Sequence, residues 1–194
     1  MRPVLAVVLL FVSACVTTQP AVRRVPEGPM PEVTEDTIHY EVEGNTSAEL
    51  RAALDRLGPE DDSGRHDAYT KWYVRWFYDY ERSEAACSLK NVRATLEVTY
   101  TLPRWQGANG ALGERWHRYL TALRTHEKGH AQNGVDAARF IVTELSKLPA
   151  QPDCDAAATN ANAKANAELA TARARDRAYD EETKHGATQG ATFR

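Results

Sequence analysis

The chain has 194 residues, 42% of them hydrophobic, and a formal net charge of −3 at pH 7. This length allows one domain of ordinary size plus extensions, and the hydrophobic fraction is sufficient for a packed core. The slightly acidic balance and the lack of a basic stripe argue against a nucleic-acid-binding protein.

Residues 1–15 are typical of a bacterial secretion signal. Arg2 gives a positive start, and the hydrophobic run that follows it is too short to span a bilayer as a helix. The run ends in VSAC (12–15), which resembles a lipobox, the motif whose cysteine is lipidated. The alternative is a cleaved signal with an incidental cysteine. We expect export across the inner membrane and a lipid anchor at Cys15, in the outer membrane and facing the periplasm.

Residues 16–36 contain four prolines and few large hydrophobic side chains, which predicts a tether between the membrane and a single domain at 37–194. The domain begins with a short alternating pattern at 37–44, typical of a strand. A helix follows, with Asn45 or Thr46 as its cap and Gly58 as its end.

Two longer stretches predict strands with one buried face. Residues 68–80 place Trp72, Val74, Trp76, Tyr78 and Tyr80 on one face, and residues 91–102 alternate hydrophobic and polar side chains throughout. A connector around 81–90 lets the pair run antiparallel, and Pro103 is expected to end the second strand. The aromatic strand could stack on a ligand, although packing of the sheet on helices explains the same pattern.

Two helices are predicted in the second half of the chain. Residues 113–148 follow a 3.6-residue period, and residues 153–177 are rich in alanine. The predicted fold class is therefore α+β, with a small antiparallel sheet packed against a long helix and with additional helices around it.

Apart from Cys15, the chain contains two cysteines, Cys87 and Cys154. In an oxidising envelope compartment an even pair predicts a disulfide bond, although two buried thiols are the alternative. Neither cysteine has a second one at zinc-ligand spacing.

The sequence HEKGH (126–130) interrupts the hydrophobic face of the long predicted helix. Its spacing places His126 and His130 on one face, one turn apart, as two ligands of a tetrahedral metal require. Glu127 is rotated by about 100° from His126, so it would lie beside the metal as a general base. Two ordinary histidines on a helix are the alternative, but burying them unpaired with a glutamate would be costly. Gly129 and Gly134 indicate close approach of another segment.

At this point the chain resembles an uncharacterised bacterial family described as predicted secreted zinc-dependent proteases, grouped with the HExxH metallopeptidases. The resemblance is carried by HEKGH (126–130), YTLPRW (100–105), Trp116, GRHDAYTKW (64–72) and YDEETKHGATQGATF (179–193). It extends from about Tyr40 to the C-terminus. It implies a minimal zincin-like fold and Zn²⁺-dependent chemistry without a known substrate.

A catalytic zinc has three protein ligands and a water, so a third ligand is required. Asp136 has the spacing of a known third-ligand motif, but the helical pattern continues through it. The C-terminal segment offers His185 as the first candidate and Asp180 as the second. Tyr179 could hydrogen-bond an oxyanion. The alternative for this segment is a solvated, flexible C-terminus.

The predicted function is zinc-dependent hydrolysis of a peptide bond in the cell envelope, by a metal-activated water with Glu127 as the general base. A peptide or protein substrate could align along an exposed strand edge. Two alternatives belong to other classes of protein. One is a non-catalytic lipoprotein with a structural or sensory metal site, and the other is a cell-wall binding module that uses the aromatic strand.

Overall fold

The computed structural model describes residues 29–61, 64–107 and 110–194. The predicted secretion signal, Cys15 and most of the predicted tether lie outside the described residues. The first strand, β1, spans Glu32–Glu41 and so begins before Thr37, where the domain was predicted to start.

Three long strands form one sheet in the order β1-β5-β4, with β4 at Tyr69–Arg82 and β5 at Cys87–Arg104. The β4–β5 pair is antiparallel, as predicted. β1 pairs in parallel with β5, so the sheet is mixed rather than purely antiparallel. A parallel neighbour requires a crossover connection, and the helix α1, Ser47–Leu57, lies in the chain between β1 and the rest of the sheet. Two very short strands, β2 at Glu60–Asp61 and β3 at Gly64–Arg65, form a separate ribbon.

The helix α1 has the ends that the sequence predicted. Thr46 is the N-cap, and its side chain accepts a hydrogen bond from the amide of Glu49, while Gly58 follows the last turn. Leu50 and Leu54 are fully buried and anchor the helix to the core. Leu57 completes the hydrophobic pattern in sequence but is 43% exposed.

Two long helices cover one face of the sheet. The helix α2 spans Gly110–Leu145 and α3 spans Cys154–Thr183, which extends beyond the predicted end at residue 177. The buried face of α2 contacts both β4 and β5 and carries the HEKGH motif, as the hydrophobic period predicted. These contacts confirm the predicted α+β fold class.

Two further features concern the ends of elements. β5 continues through Pro103, which is buried and pairs with Tyr40, so the prediction that this proline ends the strand was wrong by one residue. A disulfide joins Cys87, the first residue of β5, to Cys154, the first residue of α3, and this pairing confirms the prediction.

No helix among the described residues is long and hydrophobic enough to cross a membrane.

After α3, Lys184 and His185 both adopt left-handed backbone conformations and turn the chain back toward α2. A short 3-10 helix, α4, follows at Ala187–Gln189. Phe193 then inserts between Trp116 and Tyr119 of α2 and is only 2% exposed. The C-terminal segment is therefore part of the packed domain, contrary to the alternative of a flexible tail.

Candidate metal centre

His126, Glu127 and His130 lie on the buried face of α2, where the sequence predicted a polar interruption of the core. Their exposed fractions are 3%, 4% and 8%. These side chains lie where α3 packs against both α2 and the sheet. This packing brings Asp176 and Asp180, one helical turn apart on α3, toward the two histidines.

Three atoms converge at the centre of the site. The Nε2 atoms of His126 and His130 are 3.3 Å apart, and each lies 3.1 Å from Oδ1 of Asp180. A tetrahedral zinc ion with bonds of 2.0–2.1 Å separates its ligand atoms by about 3.3 Å. The triangle therefore has the size that such an ion requires, and the three residues could hold a metal.

The outer nitrogen of each histidine has its own partner. Nδ1 of His130 lies 3.1 Å from the carboxylate of Asp176, and Nδ1 of His126 lies 3.1 Å from Oε1 of Gln189. Both partners are acceptors, so each Nδ1 carries the proton and each Nε2 presents a lone pair to the centre. Three acceptor atoms then face one another, which is favourable only with a positive charge between them. Hydrogen-bonded histidines of this kind are typical of metal ligands.

The protonation energetics indicate the same demand for positive charge. Burial works to lower the pKa of His130, but the hydrogen bonds to Asp176 and Asp180 outweigh it and raise this pKa to about 10. Burial works to raise the pKa of Asp180, but the hydrogen bonds with His126 and His130 hold it well below its usual range. The centre therefore retains a proton strongly, and a divalent cation would satisfy the same acceptors.

Residues from the sheet and from α2 orient this set. Trp72 of β4 donates from Nε1 to the second oxygen of Asp176 at 2.9 Å, and Asn133 donates to the first at 2.7 Å. Asp176 therefore has three donors around it, counting His130, and its position is determined by the sheet as well as by α2.

The Glu127 carboxylate lies beside the three convergent atoms, on the side of β4. Its Oε2 accepts a hydrogen bond of 2.6 Å from the hydroxyl of Thr70 on β4. Burial raises the pKa of Glu127, while the Thr70 hydrogen bond and the two histidines oppose that increase. A carboxylate with a raised pKa beside three candidate ligands is suited to accepting and returning a proton.

His185 does not join the convergent set. Its side chain is 59% exposed, and its Nδ1 lies 3.5 Å from Oδ1 of Asp180. Its ring instead lies against His66, with 5.5 Å between the ring centroids. The left-handed turn at the end of α3 carries His185 past the centre, so the geometry favours Asp180, the second candidate, over His185. Asp136 lies on an uninterrupted helix and accepts a hydrogen bond from Gln132.

Tyr179, which the sequence offered as a hydrogen-bond donor to an oxyanion, packs against both histidines. Its ring stacks on His126 at 5.0 Å with an angle of 12° and meets His130 edge-on. Its hydroxyl accepts a hydrogen bond of 3.0 Å from Gln189, the residue that also contacts Nδ1 of His126. The hydroxyl therefore belongs to the outer side of His126, away from the convergent atoms.

Tyr179 also explains the glycine in HEKGH. A Cβ atom at Gly129 would lie 2.3 Å from the hydroxyl oxygen of Tyr179 and 2.6 Å or less from its ring. No side chain larger than hydrogen fits there while Tyr179 stacks on His126. The close approach that the sequence predicted at this glycine is made by α3.

We expect Gly129→Ala to weaken zinc binding by about 10–100-fold, the usual effect of disturbing a group that orients a ligand. A helical glycine without this contact would instead stabilise the protein by up to about 1 kcal/mol on replacement by alanine. The dissociation constant for zinc, measured by competition with a chelator, and the unfolding midpoint of the zinc-free protein separate these two effects.

The control for that variant is Lys128→Ala, an exposed neighbour on α2 that should leave both quantities nearly unchanged. In a Tyr179→Ala background, Gly129→Ala should have no further effect on zinc binding, because the clashing ring is absent. An undiminished zinc affinity in the single Gly129→Ala variant would contradict this account.

Asp176, Gln189, Thr70 and Trp72 were not predicted from the sequence as residues of the site. A signal for the first was present, because Asp176 and Asp180 repeat on α3 the spacing of four that joins the two histidines on α2. Gln189 and Thr70 had no such signal, since each reaches the site only through the tertiary fold.

Residues 37–186 match the family described as bacterial protein of unknown function (DUF922). The chain belongs to this family. The match includes His126, Glu127, His130 and Asp180, and it ends just before the segment that carries Gln189. No curated protein and no solved structure matches the chain.

Proposed function

We propose that this protein is a zinc-dependent peptidase. The observation that carries the proposal is the convergence of three acceptor atoms, from His126, His130 and Asp180, beside a buried glutamate in an open cleft. The donor set of two imidazoles and one carboxylate is one of those found around catalytic zinc, which leaves one position for water or substrate.

The cleft supports a catalytic rather than a purely structural centre. It has a volume of about 990 Å³, and all three candidate ligands and Glu127 line it. Structural zinc sites are closed by four protein ligands, whereas catalytic sites keep an open position. An open cleft at the ligand triangle fits the second description.

Zinc bound at this centre would supply Lewis-acid chemistry, lowering the pKa of a water and polarising a carbonyl. Glu127 is placed to take the proton of the attacking water on its carboxylate and to return it to the leaving amine. Thr70 donates to Oε2 of Glu127 and so orients the carboxylate. Asp176 and Gln189 hold the imidazoles in the tautomer that leaves Nε2 free to bind the ion.

The edge of the sheet supports a peptide substrate. Within the described residues, β4 pairs with β5 on one side only, and the segment from Tyr69 to Tyr73 lines the cleft. An edge strand presents unpaired backbone groups that can hydrogen-bond an extended peptide. Such a peptide would pass directly beside Thr70 and Glu127.

The proposed location follows from the sequence. A lipid at Cys15 would hold the domain at an envelope membrane, with the proline-containing segment as the tether. Incorporation of radiolabelled palmitate into the wild-type protein, and not into a Cys15→Ala variant, would test this lipid anchor.

Zinc content tests the proposed centre. The purified full-length protein should retain a single zinc ion per chain after dialysis. Asp180→Ala should weaken zinc binding by more than about 100-fold, because even residues that only orient a ligand contribute about 10–100-fold. His185→Ala should leave the affinity nearly unchanged, because the Asp180 carboxylate already completes the triangle.

The matched control is His117→Ala, which removes an exposed histidine from the same helix. Elemental analysis and chelator competition give the readout without any substrate. Parent-like zinc affinity in Asp180→Ala, together with loss in His185→Ala, would move the third ligand to His185. Failure of the parent to bind zinc would overturn the proposal.

A further inference from the structure

The cleft around the candidate metal centre contains cations that no described residue neutralises. The acidic side chains in the cleft all have partners: Asp176 and Asp180 contact the histidines, Glu127 accepts a hydrogen bond from Thr70, Asp67 pairs with Arg51, and Asp61 contacts His66. The lining contains seven Lys or Arg side chains and five Asp or Glu side chains, so its balance of charge is positive, although the whole chain is slightly acidic.

Three of these cations lie on or directly after α3, the helix that carries the third candidate ligand. Arg173, Arg177 and Lys184 all line the cleft, are exposed, and form no ion pair with any described residue. Arg173 and Arg177 lie seven and three residues before Asp180 on α3, which is the spacing of one helical stripe. Lys184 follows the last residue of α3 as its C-cap, in a left-handed backbone conformation. Arg175, by contrast, lies outside the cleft lining and pairs with Glu168.

The opposite wall of the cleft adds another positive charge. Lys71 lies on the edge strand β4, next to Thr70, and its ammonium group sits 5.2 Å from the ring centroid of Tyr73. A peptide aligned along β4 would therefore run between Lys71 on one side and the α3 stripe on the other. Clefts lined by one sign of charge concentrate ligands of the opposite sign.

We infer that the substrates of this site are acidic peptides, with aspartate or glutamate on both sides of the cleaved bond. This inference rests on the proposed peptidase function and names its substrate class. The helical rise places Arg177 and Arg173 about 4.5 and 10.5 Å from Asp180 along the α3 axis, and Lys184 lies just beyond the end of the helix on the other side. An extended peptide advances about 3.3 Å per residue, so the acidic side chains fall about one to three residues from the cleaved bond.

Binding of defined peptides to zinc-loaded, full-length Glu127→Gln protein tests the inference without turnover. The probes are a peptide with a central Ala-Ala flanked by aspartates, its asparagine counterpart and its lysine counterpart. Fluorescence anisotropy should show the aspartate peptide binding about tenfold or more tightly than the asparagine peptide, and the advantage should shrink as salt is raised.

Arg173→Glu/Arg177→Glu should reduce binding of the aspartate peptide by about tenfold or more and improve binding of the lysine peptide. The matched control is Arg56→Glu/Arg124→Glu, which makes the same change in charge at exposed positions outside the cleft lining. The control should bind the aspartate peptide like the parent. Zinc content is measured in every variant, so that a lost metal is not mistaken for a lost subsite.

Equal binding of the aspartate and asparagine peptides by zinc-loaded protein would overturn the acidic specificity and leave the peptidase proposal standing. Binding of short-chain polyphosphate in preference to the aspartate peptide would also overturn it, because the cleft would then recognise a different polyanion. Failure to bind zinc would overturn the peptidase proposal, and the substrate assignment with it.

Discussion

Glu127→Gln is expected to lower peptidase activity by about 10²–10⁴-fold while zinc remains bound. Glutamine has nearly the same shape as glutamate and can still accept the hydrogen bond from Thr70, but it cannot take a proton from water. Glu127 contributes none of the three convergent atoms, so its replacement leaves the triangle of candidate ligands intact. The loss should therefore appear in turnover and not in metal content.

The measurement pairs cleavage of a peptide library by the full-length protein with elemental analysis of the same samples. Thr70→Ala provides a graded comparison, because it removes the group that orients Glu127 but leaves the carboxylate in place. Its activity should lie between that of the parent and that of Glu127→Gln. An unchanged cleavage rate in Glu127→Gln would exclude this glutamate as the general base.

The same variant separates the proposed peptidase from a non-catalytic lipoprotein with a structural metal site. A structural site would bind zinc, show no cleavage in the parent, and lose nothing on replacement of Glu127. A cell-wall binding module built on the aromatic strand would retain its binding after treatment with a chelator.

Removal of the disulfide by Cys87→Ser/Cys154→Ser is expected to destabilise the domain by about 4 kcal/mol. The two cysteines are 67 residues apart in sequence, and the chain-entropy model assigns a loop of this length about that contribution. Cys87 is also buried and exchanges two backbone hydrogen bonds with Gln151, just before α3. The bond therefore attaches the start of α3 to the sheet.

This attachment is important for α3 because the helix buries mainly small side chains. Four of its six buried residues are alanines, spaced to face α2, and alanine contributes little hydrophobic area. The same helix supplies Asp176 and Asp180 to the candidate centre. Loss of the disulfide should therefore lower zinc affinity as well as stability.

Denaturant unfolding of the zinc-free protein measures the free energy of unfolding, and zinc is removed because bound zinc would add its own stabilisation. In thermal unfolding, a change of about 4 kcal/mol corresponds to a decrease in midpoint temperature of about 8–16 °C for a domain of this size. The wild-type protein should lose the same stability on reduction, whereas the double variant should be insensitive to the reductant. Equal stability of the oxidised and reduced protein would contradict the prediction.

Much of the centre could be predicted from the sequence because it depends on local periodicity. The spacing of His126 and His130 places them on one helical face in any α-helix, and Glu127 is rotated from them by the same geometry. The strand alternation in β5 similarly indicated its buried face before any partner was known. The pairing of Cys87 with Cys154 followed from there being only two candidates in the domain.

Only the tertiary structure shows which residues converge at the candidate centre. The choice of Asp180 over His185 depends on where α3 crosses α2 and on the left-handed turn at its end, and neither is encoded in a local period. The parallel pairing of β1 with β5 also depends on a contact between distant segments. Thr70 and Trp72 reach the site from β4 and Gln189 from α4, so only the packed chain brings their hydrogen bonds together.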